Sequence, residues 1–204
     1  MHETVTREQL VRRLYTRPDS IYVMLVGVHG SGKTTIADAL HERGFKRLSM
    51  DRMVTKHPIL GLHWRALEAK FQEKLRRRLA LKNNIVDDNL NSKPSERLAV
   101  LEQARVAGYE RVAIVFVDTP LAVSLRRNLA RPDRAPDFVV EQLWAKLHTS
   151  CKPTTAEAEL ITLEPDAEEM HYAMRVEPFA PTARAEPTCR LVRIVKAMFR
   201  RRST

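Results

Sequence analysis

A chain of 204 residues can hold one domain with a sizeable core and is too short for two comfortable ones. Its 35 Lys and Arg outweigh 25 Asp and Glu, and the formal charge of +10 favours a polyanionic partner: nucleic acid, an acidic membrane surface or a phosphorylated ligand. Cys151 and Cys189 stand far apart and in no metal spacing, which argues against a disulfide framework and for a reducing cytoplasm. The longest apolar run, around Ile21–Val26, is too short to span a bilayer, and the charged N-terminus lacks the apolar core of a secretion signal.

Along the chain, Thr6–Tyr15 suits a short leading helix that Pro18 and Asp19 break. Ile21–Val26 has the length and unbroken apolar character of a strand buried on both faces. A glycine-rich loop follows, then a helix over Lys33–Arg43 stopped by Gly44, and a second strand over Phe45–Met50. Trp64, Leu67, Phe71, Leu75 and Leu79 recur at three- and four-residue intervals and form one stripe of a long helix, His63–Lys82. Ile85 and Val86 lead a third strand into polar Asp87–Asn91; Ser95 caps the next helix, which ends at Gly108. Val112–Val117 is again a strand, Leu121–Ala130 and Asp137–Leu147 are helices, and Leu160–Leu163 is a last strand.

This alternation predicts an α/β fold: a three-layer sandwich with a parallel, five-stranded sheet, helices on both faces and a helical lid. The expected organisation is a helical extension over 1–20, a nucleotide-binding domain over 21–164 with its lid near 127–150, and an irregular segment plus a basic helix over 165–204. In that last helix Leu191, Ile194, Val195 and Met198 share a face ringed by arginines. It reads either as an arm for an acidic membrane surface or nucleic acid, or as a helix that docks on the domain.

Gly27-Val28-His29-Gly30-Ser31-Gly32-Lys33-Thr34 fits G-x-x-x-x-G-K-[ST] at every specified position, between an apolar strand and a helix. Glycines let the backbone turn so that successive N–H groups face phosphate oxygens. Lys33 reaches the β- and γ-phosphates, Thr34 offers its hydroxyl to Mg²⁺, and the helix N-terminus adds its dipole. The expected nucleotide-binding set is Gly27, His29, Gly30, Ser31, Gly32, Lys33, Thr34 and Thr35, with ATP and Mg²⁺ as cofactors.

A GTPase would carry N-K-x-D after a later strand, and none is present; an Asp-Glu strand end typical of motor-type ATPases is absent too, since Asp118 is followed by Thr119 and Pro120. Asp118 reads as a turn cap or as a water-mediated metal ligand. The remaining class transfers the γ-phosphoryl group, and it needs a base for the acceptor hydroxyl, cations for the transferring group and a cover against water. Asp51 is the candidate base, at the C-terminal edge where open α/β sheets bind ligands; its competing role is a helix N-cap. Asp87 and Asn89 end a strand on the same edge and could hold the acceptor, with Arg52 beside the base. Arg127 and Arg131 lie four apart, and Arg131-Pro132-Asp133-Arg134-Ala135-Pro136 has the composition of a mobile basic lid.

Three segments together resemble the P-loop kinase group that contains the 5′-kinase domain of phage polynucleotide kinase, with zeta-type toxins and small-metabolite kinases as more distant members. They are Gly27–Thr34, then Val86-Asp87-Asp88-Asn89-Leu90-Asn91 with Glu96-Arg97, then Val117-Asp118-Thr119-Pro120 with Arg127-Asn128 and Arg131. The resemblance spans Ile21–Leu147. It implies Asp51 as general base, Asp87 and Asn89 in the acceptor site, and Arg127 and Arg131 in a lid over the donor phosphates. One position departs: three residues after the base, where polynucleotide kinases place an arginine on the acceptor's 3′-phosphate, this chain has Val54. Three functions follow as expectations: a kinase for a 5′-hydroxyl of RNA or DNA, a kinase for a small metabolite or nucleotide sugar, or an ATP-binding regulatory module that grips nucleic acid or membrane.

Overall fold

The computed structural model describes residues 3–15, 20–56, 63–166 and 171–181. The chain opens with strand β1 (Glu3–Thr6), which runs directly into helix α1 (Arg7–Tyr15). The junction is a capping box: the Thr6 N–H donates to Gln9 Oε1 at 2.7 Å and the Gln9 N–H to Thr6 Oγ1 at 3.2 Å. Strand β2 (Ile21–Val26) leads to the glycine loop and helix α2 (Lys33–Glu42). Strand β3 (Lys46–Leu48) is followed by helices α3 (Met50–Lys56) and α4 (Trp64–Ala80). Then come β4 (Ile85–Asp87), α5 (Pro94–Val106), β5 (Arg111–Val117), α6 (Leu121–Leu129), α7 (Asp137–Thr149), β6 (Glu159–Pro165) and β7 (His171–Glu177).

The sheet has seven strands in the order β1-β7-β6-β5-β2-β4-β3. The strands from β3 to β6 in that order are parallel; β7 pairs antiparallel with β6, and β1 antiparallel with β7. β2 is central, so the loop that leaves its C-terminal end emerges between the ends of β4 and β5. Every residue of β2 is buried, and alternate side chains serve opposite faces. Ile21, Val23 and Leu25 pack with Leu10, Leu14, Ile36 and Leu40 of α1 and α2; Tyr22, Met24 and Val26 pack with Met53, Leu67, Leu75, Leu101 and Val140 of α3, α4, α5 and α7. Each fully buried leucine in these layers contributes about 1.5–3 kcal/mol.

The structure corrects four expectations. The sheet is seven-stranded rather than five-stranded, because β7 and β1 extend the parallel part. The stretch after Glu164 is therefore not wholly irregular. β7 buries Tyr172 and Met174 on one face only, and that short alternation was hidden among Pro and Glu. The leading extension contains a strand as well as a helix, and the β1–β7 pairing is long-range and invisible to local pattern. Ser95 does not cap α5: the helix begins at Pro94, a residue suited to the first helical position. The basic C-terminal helix and the Pro18–Asp19 break lie outside the described residues.

Arg97, on α5, is wholly buried and doubly bonded to Glu157, with Nε at 2.6 Å and Nη2 at 2.8 Å, while its Nη1 donates to the Asn91 carbonyl. Glu157 Oε1 also accepts the Thr154 N–H. This pair ties α5 and the end of the β4 loop to the segment entering β6. Its removal on one side strands a buried charge, so Glu157→Gln is expected to destabilise the fold by about 3–5 kcal/mol. Urea denaturation checks this; a loss below about 1 kcal/mol would assign the pair to surface-like status.

Candidate active site

The glycine loop adopts conformations that its sequence requires. Gly30 has φ 78° and Gly32 φ 99°, where L-residues with side chains are strained. A Cβ at Gly30 would lie 2.1 Å from the Ser124 carbonyl oxygen, so α6 packs against the loop's backbone. Gly32 is the N-cap of α2 and supplies no side-chain cap, which leaves the first-turn N–H groups for an anion. The loop's carbonyl side is held from behind. Thr119 Oγ1 donates to the Ser31 carbonyl at 2.8 Å, and Arg127 Nη1 donates to those of Gly30 and Ser31 at 3.4 and 3.3 Å.

Lys33 is buried and folded onto the loop, its Nζ donating to the Gly27 and Val28 carbonyls at 2.8 Å each. Burial pulls its pKa down to about 8; Asp88 and Asp51 oppose the shift, and Arg131 adds to it. Phosphate oxygens favour the ammonium, so a triphosphate complex holds more protons than the free protein above pH 8. Affinity is therefore full below that pH and falls as pH rises through it. Calorimetric titration with ATP should show about tenfold weaker binding at pH 9 than at pH 7. A flat profile would show that Lys33 does not meet the phosphates.

His29 is half-buried beside Lys33; burial first, then the charges of Lys33 and Arg131, hold its imidazole below its usual range. Thr34 is exposed and faces the same cavity, a placement that fits a hydroxyl ligand for phosphate-bound Mg²⁺. Thr35 sits exposed in the first turn of α2, its N–H on the Gly32 carbonyl at 3.1 Å.

Asp51 is not the cap of its helix. Ser49 takes that role, its carbonyl accepting the Met53 N–H at 3.3 Å and its Oγ the Arg52 N–H at 3.4 Å. Asn89 Oδ1 accepts the Met50 N–H at 2.8 Å. Asp51 is thus held one residue into α3 with an exposed carboxylate that lines the cavity. Among the described residues no side-chain partner occupies that carboxylate. Asp87 and Asn89 build the support under it. Asp87 is buried and accepts from Tyr22 Oη (2.8 Å), Asn89 Nδ2 (2.6 Å) and Asn91 Nδ2 (3.3 Å). Burial pushes its carboxyl up, against those three hydrogen bonds. Asp88 pairs with Arg47, which also grips Asp38 of α2. Arg52 is not among the residues that line the cavity; after burial, Arg78 and Lys56, its charge helps hold the Lys74 amine of α4 below its usual range.

The segment expected to be a lid is a pinned turn between α6 and α7. Asn128 donates from Nδ2 to the Ala135 carbonyl at 2.7 Å and accepts the Ala135 N–H at 3.1 Å, fixing the segment read as mobile. Arg131 lines the cavity and pairs with Asp133 at 3.3 Å. Asp118 does not cap α6, whose N-cap is Pro120; it pairs with His148 Nε2 at 2.7 Å and Lys152 at 3.6 Å. Trp144, stacked on His148, donates from Nε1 to the Thr119 carbonyl at 3.1 Å. α7 is thereby tied through Thr119 to the loop.

Lys33, Thr34, His29, Asp51 and Arg131 therefore share one cavity of about 1640 Å³ at the C-terminal edge of the sheet. Sequence reading brought these together and placed Asp87 and Asn89 beside them. It gave no role to Tyr22, Thr119 or Asn128, although the last two stand in the motifs that carry the resemblance. Tyr22 had one signal, as the lone polar-tipped residue in an apolar strand; Asn128 had another, as an amide inside a helix.

Residues 23–154 match the AAA domain family. The chain belongs to that family. No curated protein matches the sequence. Among solved structures, a chain of the AvrRxo1-ORF1:AvrRxo1-ORF2 complex with sulphate ions is similar at TM-score 0.55 and 15% identity, over 84% of this chain and 66% of that one. The same complex with ATP is similar at TM-score 0.53 and 17% identity, over 84% and 65%. This chain thus spans just under two thirds of that protein. The PezAT chromosomal toxin–antitoxin system of Streptococcus pneumoniae is similar at TM-score 0.53 and 15% identity, over 96% and 93%. These likenesses give the fold. This AAA-family chain is an α/β P-loop nucleotide-binding domain with a mostly parallel sheet. No helix among its described residues is long and apolar enough to cross a membrane.

Proposed function

We propose that the chain is an ATP-dependent kinase that moves the γ-phosphoryl group to a hydroxyl of a small polar acceptor. The observation that carries this is the placement of an unpaired Asp51 carboxylate in the same cavity as Lys33 and Thr34. A hydrolase needs only water there; a carboxylate held on a capped helix beside a large cavity suits an organic acceptor. That a neighbouring fold has been obtained with ATP supports the choice of donor.

Asp51 takes the proton of the acceptor hydroxyl as its oxygen bonds the γ-phosphorus. The bond from that phosphorus to the β–γ bridging oxygen breaks, and ADP leaves. Lys33, released from the Gly27 and Val28 carbonyls, follows the charge on the phosphates, and Arg131 exchanges Asp133 for the transferring group. Mg²⁺, held by Thr34 and the phosphates, would neutralise charge on the donor.

The cavity walls decide the acceptor's size. Glu68, Glu73 and Glu96 line them together with Arg76, Arg77 and Lys93. That mixture suits a compact polar molecule, whereas a polynucleotide groove carries a continuous cationic track. Val54 at the position of the polynucleotide kinases' phosphate-binding arginine agrees. A second reading, a kinase for the 5′-hydroxyl of RNA or DNA, rests on the formal charge of +10. Incubation with γ-labelled ATP, a 5′-hydroxyl oligonucleotide and extracted metabolites separates them. Label is expected in a small molecule; label confined to the oligonucleotide would reverse the assignment.

A further inference from the structure

Helix α4 buries Leu67, Phe71, Leu75 and Leu79, but the first member of that stripe, Trp64, is 63% exposed. Its indole lines the cavity instead, as does Val54, which is itself 40% exposed. An uncovered tryptophan costs solvation that a core position would avoid. Trp64, Glu68, Gln72 and Arg76 are successive i, i+4 neighbours on α4, and all four face the cavity that Asp51 enters. Gln72 Nε2 donates to Glu68 Oε1 at 2.9 Å, so the amide and the carboxylate form a fixed polar pair one turn from the indole.

We infer that Trp64 is a stacking platform for the acceptor, whose hydroxyl is therefore carried beside a planar heteroaromatic ring, as in a nucleoside. This inference rests on the kinase reading and names its acceptor chemistry. The ring lies on the indole, with Val54 as apolar floor. Glu68 and Gln72 meet the polar ring edge, a carboxylate for ring N–H donors and an amide for either kind of group. Arg76, one turn further, suits an anionic substituent. Ring stacking on an aromatic side chain is sequence-tolerant and favours ring-bearing alcohols over polyols. The same ring chemistry is presented by a free nucleoside and by the end of an oligonucleotide.

The test compares the full-length wild type with Trp64→Ala and Trp64→Phe, using adenosine, uridine, a 5′-hydroxyl dinucleotide and ribitol. All are examined at saturating ATP, by tryptophan fluorescence and by γ-phosphate transfer. Adenosine or uridine is expected to quench the emission saturably, with the quench absent in Trp64→Phe. Trp64→Ala should raise the acceptor KM by about 5- to 150-fold, Trp64→Phe should be intermediate, and the KM for ATP should not move. The same pattern with the dinucleotide alone would support the platform and assign the ring to a polymer end. Transfer to ribitol that Trp64→Ala leaves unchanged would overturn the platform and leave the kinase reading standing. Saturable quenching without transfer to any acceptor would support the platform and contradict the kinase reading. Quenching by ATP alone, with no further change on adding any ring compound, would overturn the acceptor assignment.

Discussion

Asp51→Asn is expected to lower phosphoryl transfer by about 10²–10⁴-fold while leaving ATP binding intact. The substitution keeps shape and removes only the ability to accept a proton. Nothing else should move, because the Asp51 carboxylate makes no hydrogen bond or ion pair to any described residue: Ser49 caps α3, and Asn89 holds the Met50 N–H. In the proposed site ATP would meet the other wall of the cavity, through the loop and Lys33. A large fall in both transfer and ATP affinity would place Asp51 with the donor. Unchanged transfer would remove it from the chemistry.

Lys33→Ala is expected to remove the donor half instead. Charge-assisted hydrogen bonds contribute about 1.5–3 kcal/mol each, so losing those to the β- and γ-phosphates should weaken ATP binding at least tenfold. Loss of the same cation near the transferring group should reduce transfer by a further 10²–10³-fold or so. The fold should not suffer in proportion. In the free protein Lys33 is a buried ammonium whose pKa is pulled down to about 8, so its charge is held at a cost in stability. That cost is relieved as pH rises from about 8 toward the unfolded value of 10.5, and it is absent in the alanine variant. Thermal unfolding at neutral pH should therefore show Lys33→Ala as stable as wild type or more so, apart from the unpaired Gly27 and Val28 carbonyls. A collapse of the fold would mean that those two hydrogen bonds outweigh burial.

The geometry of the phosphate loop was legible because local chemistry dictates it. A strand, three glycines in fixed spacing, Lys33 and Thr34 leave few alternatives, and the loop's backbone conformations are the ones glycine permits. Asp51 was legible by position, as the first carboxylate beyond a strand end. Its freedom from capping was not, because that depends on Ser49 and on Asn89 reaching across from the end of β4. Asp87 shows the reverse case. A carboxylate at a strand edge reads as a ligand-binding group, yet hydrogen bonds from Tyr22, Asn89 and Asn91 absorb it into the scaffold. The antiparallel strands β7 and β1 escaped because their pairing joins the two ends of the described chain, and neither has a long apolar run. Trp64 escaped for a related reason: periodicity placed it on the buried stripe, but α4 begins at that residue and its burial starts only at Leu67.

The turn between α6 and α7 carries a constraint that composition did not suggest. Asn128 pins the turn at Ala135, and Trp144 links α7 through Thr119 to the loop. Arg131 projects from a braced element, so under the proposed function it would reach the phosphates by exchanging Asp133 rather than by ordering a loose segment.

The most direct test of a phosphoryl-transfer site is the fate of labelled γ-phosphate, followed with nucleosides, polyols and an oligonucleotide in wild type and Asp51→Asn. The label should enter an organic acceptor in the wild type and cease to do so in the variant, which still binds ATP. Label released only as inorganic phosphate, at the same rate in both proteins, would contradict the account.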